Sequence, residues 1–102
     1  MEEKIKISML LQIYGKLLTQ KQYEFMDYYY NEDLSLSEIA ENQNITRHAV
    51  REILAKSKNK LEEYEEKVMI YSKVKQINSI LDKLEEKESL KEIQKIRKIL
   101  ND

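Results

Sequence analysis

"SLSEIAENQNITRHAVREIL", residues 35–54, reads as two short helices joined by a tight turn. Ser35 with Glu38 three residues on makes a capping box, which opens a helix whose inward residues are Leu36, Ile39 and Ala40. Ala40 is small enough to let a second helix cross close by. Asn44 stands where the turn needs a left-handed residue; glycine is usual there, and asparagine tolerates it best among the rest. Thr46 is a good N-cap for the second helix, with Val50, Ile53 and Leu54 facing inward and Ile45 and Val50 filling the angle between the helices. This is the pattern of a helix-turn-helix, in which the first residues of the second helix enter a major groove. Here those residues are Arg47, His48 and Arg51, with Glu52 beside them.

The charge around this helix is local. The 102-residue chain has a formal net charge of −1 and a pI near 5.9, so no global field favours nucleic acid. Between residues 47 and 60, however, Arg47, Arg51, Lys56, Lys58 and Lys60 face only Glu52. Phosphate binding follows such a patch rather than the total. The candidate nucleic-acid-binding set is therefore Thr46, Arg47, His48, Arg51, Lys56, Lys58 and Lys60. The competing reading is a solvated helix face, or a helix-turn-helix reused for protein contact, which the acidic total and Glu52 favour.

Upstream, Ile5, Met9, Ile13 and Leu17 with Leu10, Tyr14 and Leu18 recur at helical spacing over residues 3–18 and predict a broad apolar face. Gly15 interrupts this stretch where close packing against a neighbouring helix would need it. Thr19 and Gln22 form a capping box for a helix reaching about Asn31, carrying Phe25, Met26, Tyr29 and Tyr30; "NED" at 31–33 is a polar turn.

Downstream of Leu54 nothing breaks the helix until the late 80s. Leu61, Tyr64, Val68 and Tyr71 form a seam that continues, after a stutter, through Val74, Ile77, Leu81 and Leu84. One rod over residues 47–86 would be ~60 Å long, against a radius of gyration near 13 Å for a domain of this size. It must break near "KSKNK" (56–60), or cover its seam with the last helix or a second copy; a homodimer through this half is expected. Ser89 and Glu92 make a third capping box, and the final helix carries Leu90, Ile93, Ile96 or Arg97, and Leu100 on one side.

The fold class is all-α: an N-terminal helix-turn-helix bundle (residues 1–60), then a long C-terminal helix and a short final helix (61–102) serving dimerisation or a partner, the whole expected to form one compact unit. One glycine, no proline, and 36% charged against 41% hydrophobic residues fit helices rather than sheet. No cysteine rules out disulfides and zinc–thiolate sites, which suits the cytoplasm. No signal-peptide core or membrane-length apolar run is present, so no membrane insertion is expected. His48 with Glu52 alone is too little for a metal site. No glycine-rich phosphate loop, nucleophile with a base or paired carboxylates suggest an enzyme or a cofactor. The tyrosines at 28–30, with Tyr14 and Tyr23, suit core packing better than base stacking, because consecutive helical residues point in different directions. "EEYEEK" (62–67) reads as a solvated helix face, with acidic docking to a basic partner as the sharper alternative.

"YGKLLTQKQYEFMDYYYNEDLSLSEIAENQNITRHAVREIL" followed by "KLEEYEEK" resembles the YlxM family of signal-recognition-particle-associated helix-turn-helix proteins. The likeness covers roughly residues 9–72, its most specific parts being "YGKLLTQKQ", "DLSLSEIAE", "ITRHAVREI" and "LEEYEEK". The capped turn and second helix also resemble region 4 of bacterial sigma factors, which places Arg47, His48 and Arg51 at nucleic-acid-facing positions. The resemblance implies a small cytoplasmic regulatory protein, encoded beside the signal recognition particle GTPase, that assists the particle. Its expected partners are DNA or signal recognition particle RNA, or the GTPase itself, with the helix-turn-helix then a scaffold. The motif's chemistry favours DNA; the major groove of an RNA helix is too narrow for an α-helix, so RNA would use the basic surface differently.

Overall fold

The computed structural model describes residues 2–85 and 90–101, which form helices joined by short turns, with no strand among them. The elements are α1 (Glu2–Tyr14), a 3-10 turn (Gly15–Leu17), α2 (Gln20–Tyr30), α3 (Leu36–Gln43), α4 (Arg47–Val68), α5 (Ile70–Glu85) and α6 (Leu90–Asn101). Rather than one compact unit, they divide into two, Met1–Val68 and Met69–Asp102.

In the first unit α4 packs against α1, α2 and α3. Its inward residues Val50, Leu54, Ser57 and Leu61 recur in steps of four and three, one stripe of a helix. They meet Ile7, Leu10, Leu11 and Tyr14 of α1, Phe25 and Met26 of α2, and Ile39 and Ala40 of α3, all buried. Each side chain of this size contributes about 1.5–3 kcal/mol on full burial. Ser57 enters the core without an unsatisfied group because its hydroxyl donates to the Ile53 carbonyl at 2.7 Å.

Three helix starts follow the sequence reading. Thr19 accepts from the Gln22 amide at 3.1 Å while its own amide donates to the Gln22 side chain. Ser35 and Glu38 do the same for α3, and Thr46 accepts from the Ala49 amide at 3.0 Å. Gly15 is where α1 turns back: a Cβ there would lie 2.7 Å from a ring carbon of Tyr23 on α2. The polar turn after α2 is tied to α1 by Lys4 on Asp33 at 2.7 Å and by the Ser8 hydroxyl donating to Asn31 at 2.6 Å.

Several packing expectations are corrected. On α1 the inward row is Ile7, Leu10, Leu11 and Tyr14, with Leu18 buried beyond its end, whereas Ile5 of α1 and Leu17 of the 3-10 turn are 60% and 59% exposed and Met9 also faces out. The expected α-helix over 3–18 stops at Tyr14, since the chain tightens into a 3-10 turn at Gly15. Helix α4 does not break at 56–60; it runs on to Val68, and Met69 adopts a left-handed φ of 59° that separates it from α5. Residues 61–68, grouped with the tail in the sequence reading, thus continue α4 within the first unit. There Leu61 is buried, Tyr14 donates to Glu65 at 2.9 Å, and the Tyr14 and Tyr64 rings lie 6.0 Å apart.

In the second unit α6 returns along α5, burying Leu81 and Ile93. Arg97, not Ile96, is the inward choice: its guanidinium donates to Glu85 at 2.8 Å, Asn78 at 3.0 Å and Asp82 at 2.6 Å. Of the expected seam, Val68, Ile77 and Leu84 are exposed. The capping box expected at Ser89 lies outside the described residues. No described helix is long and apolar enough to cross a membrane.

Candidate nucleic-acid interface

Helix α3 ends as the sequence requires. Asn44 holds φ 55° and ψ 46°, its amide donates to Glu41, and the Ile45 amide reaches back to the Ala40 carbonyl at 3.0 Å. This closing motif satisfies the last carbonyls of α3 and redirects the chain within two residues. Thr46 then starts α4, with Ala40 and Val50 buried in the angle between the helices.

The same helical phase that buries Val50 and Leu54 leaves Arg47, His48 and Arg51 exposed on the first turns of α4. At about 100° per residue these three span an arc of roughly 100°. They also sit at the positive end of the α4 dipole, which adds to their attraction for phosphate. Glu52 stands on the same exposed side, its carboxylate 4.0 Å from His48 Nε2.

The remaining basic residues are not a continuation of this set. Lys56 and Lys60 follow Arg47 and Arg51 by nine positions each, which on a helix is about half a turn around the axis. Both face outward on the far flank of α4, Lys60 only partly exposed. Lys58 is on the arginine flank but half-buried, its ammonium paired with the Glu3 carboxylate of α1. That hydrogen bond raises the Lys58 pKa and lowers that of Glu3. The free charge near the arginines is therefore smaller than the basic stretch suggests. No local pattern reveals this pair, whose members are 55 positions apart.

The tyrosines are engaged in packing. Tyr28, Tyr29 and Tyr30 are half-buried; Tyr28 tilts on Phe25 at 6.2 Å, Tyr29 meets Tyr30 edge-on at 4.9 Å, and Lys4 lies over the Tyr29 ring. Burial raises the Tyr30 pKa. In 62–67, Glu62, Glu63, Glu66 and Lys67 are exposed, while Glu65 accepts from Tyr14.

Comparison with known proteins agrees with a helix-turn-helix fold. The family UPF0122, described as "Putative helix-turn-helix protein, YlxM / p13 like", matches residues 1–100. A UPF0122 protein of Clostridium kluyveri is 42% identical, across 99% of this chain and 95% of its own. One from Clostridium acetobutylicum is 38% identical over 99% and 97% of the two chains. A third, from Malacoplasma penetrans, is 46% identical over 81% and 86%. With an all-helical fold and a whole-chain match, this protein belongs to the YlxM / p13-like helix-turn-helix family, UPF0122.

Proposed function

We propose that this chain is a non-enzymatic, cytoplasmic accessory protein that binds nucleic acid through the exposed first turns of α4 and acts, as a homodimer, in the signal recognition particle pathway. One observation carries the binding reading: Arg47, His48 and Arg51 project from a helix whose start and phase are fixed by the Asn44 turn and the Thr46 cap. Arginine can grip guanine or phosphate bidentately, and imidazole adds a weaker contact. Lys56 and Lys60 reach phosphates only where the nucleic acid wraps the far flank of α4. The pathway assignment rests on the family resemblance alone.

Fluorescence anisotropy with duplex DNA and with signal recognition particle RNA, over a salt series, tests this. Binding should weaken steeply with salt, and Arg47→Ala with Arg51→Ala should abolish it. Binding by the double variant equal to the unmodified protein would overturn the reading. A second reading, a module that docks the particle's GTPase with the helix-turn-helix as scaffold, is favoured by Lys58 being paired and by Glu52 standing among the exposed residues. It predicts nuclease-resistant, Arg47-independent association with the purified GTPase.

A further inference from the structure

The second unit has little core for its size. Leu81 and Ile93 are its buried side chains among the described residues. It is shorter than the roughly 40 residues below which isolated domains usually need a disulfide, a metal or a partner chain. The chain has no cysteine, and no cluster of metal-binding side chains occurs among the described residues.

One edge of the α5–α6 hairpin is closed by Arg97 on Asp82 and Glu85. By helical phase, Asp82 and Glu85 lie to one side of Leu81, and Ile77, Ile80 and Leu84 to the other. On α6, Arg97 and the pair Ile96 and Ile99 likewise flank Ile93 on opposite sides. Because Arg97 meets its carboxylates across the polar edge, the two apolar rows share the opposite face. All five of these residues are exposed, Ile80 at 58% and Ile99 at 79%.

Among the described residues, two charges punctuate that face. The Arg97 guanidinium reaches Asn78, Asp82 and Glu85, a span centred on Asp82, so counting 1.5 Å per residue in opposite directions brings Ile99 to about the level of Ile80. Lys73 then lies about 10 Å to one side of that level and Glu92 about 10 Å to the other, both on the apolar face. Neither has an ion-pair partner among the described residues. The face is thus self-complementary under a two-fold axis.

We infer that the face formed by Ile77, Ile80, Leu84, Ile96 and Ile99 is the interface with a second copy of this chain. The two hairpins stack about an axis that crosses the helices at the level of Ile80 and Ile99. Lys73 of each copy comes level with Glu92 of the partner subunit, and the apolar rows cover one another. The inference deepens the homodimer named above by assigning its face and register, and it stands independently of nucleic-acid binding.

Sedimentation equilibrium of the full chain at tens of micromolar tests it, with circular dichroism to check helicity. The unmodified protein should show twice the 12.3 kDa chain mass, and Ile80→Asp with Ile99→Asp the mass of one chain. Lys73→Glu or Glu92→Lys alone should weaken the dimer severalfold, as exposed charge pairs do. Both reversals together should restore it. These surface reversals decide the matter even where the isoleucine variant loses helicity. A monomeric unmodified protein, a dimeric isoleucine variant, or a double reversal no better than either single one would overturn the assignment. Salt-dependent nucleic-acid binding is measured separately, so a failed interface and a failed recognition helix give different results.

Discussion

Lys58 of α4 and Glu3 of α1 form an ion pair across 55 positions of sequence, so one cation of the basic stretch is already neutralised by the fold. Releasing it should strengthen nucleic-acid binding. Glu3→Gln is expected to raise affinity a fewfold and steepen the logarithmic salt dependence by up to about one phosphate contact, a slope near −0.9. Lys58→Ala should weaken binding far less than Arg51→Ala. Anisotropy titrations at several salt concentrations check both; equal losses for Lys58→Ala and Arg51→Ala would mean that the pair opens on binding.

Stability should fall in acid partly through the α3 capping box. Hydrogen bonds from the Ser35 amide and side chain hold Glu38 below its ordinary value of 4.5, and Lys58 does the same for Glu3. Both carboxylates therefore favour the folded state above pH 4.5, and that contribution is lost as pH falls through their lowered folded values. Glu38→Gln keeps the acceptor oxygen for Ser35 and should flatten the dependence. Urea midpoints at pH 6 and pH 3 should converge in this variant relative to the parent. At the alkaline end, hydrogen bonds to Asp33 and Glu3 raise the pKa values of Lys4 and Lys58 above 10.5, so their contribution is fully present below 10.5 and is lost as pH rises through the raised folded values.

The turn between α3 and α4 gives a sharp stability test. Asn44 lies at φ 55°, where glycine is free of strain and a β-branched residue is not. Asn44→Gly should change stability by no more than a few tenths of a kcal/mol, whereas Asn44→Val should lose about 1–2 kcal/mol. Denaturant midpoints with unchanged slopes would register both.

On α1, Leu10 is fully buried and Ile5 is largely exposed. Leu10→Ala should therefore cost about 2–5 kcal/mol, and Ile5→Ala no more than about 0.5 kcal/mol. Calorimetric melting of the two variants separates the rows.

That contrast marks the limit of what the sequence makes legible. The turn is readable because its determinants are local: Ser35 and Glu38, Asn44, and Thr46 act on amides within a few residues. The inward row of α1 is not, because apolar residues occupy Ile5, Ile7, Met9, Leu10, Leu11 and Ile13 and surround most of the helix. Only the docking of α2 and α4 selects a row. The break at Met69 has no glycine or proline to announce it. It falls between Val68 and Ile70, whose β-branched side chains are weaker helix formers. For the candidate site, the positions of Arg47, His48 and Arg51 follow from helical phase, whereas the state of Lys58 depends on a residue at the other end of the unit.

The hydroxyl caps set the helix boundaries with very few atoms. Thr19, Ser35 and Thr46 each mark the start of a helix with a single oxygen, in a chain with one glycine and no proline to mark it otherwise. Replacing that oxygen by a methyl group, as in Thr46→Val, keeps the shape and the apolar pattern and removes about 1 kcal/mol together with the boundary signal. The helix boundaries of the first unit are thus adjustable one atom at a time: losing a cap loosens the first turn of its helix, while the buried stripe of Val50, Leu54, Ser57 and Leu61 keeps the phase of α4 and the core unchanged.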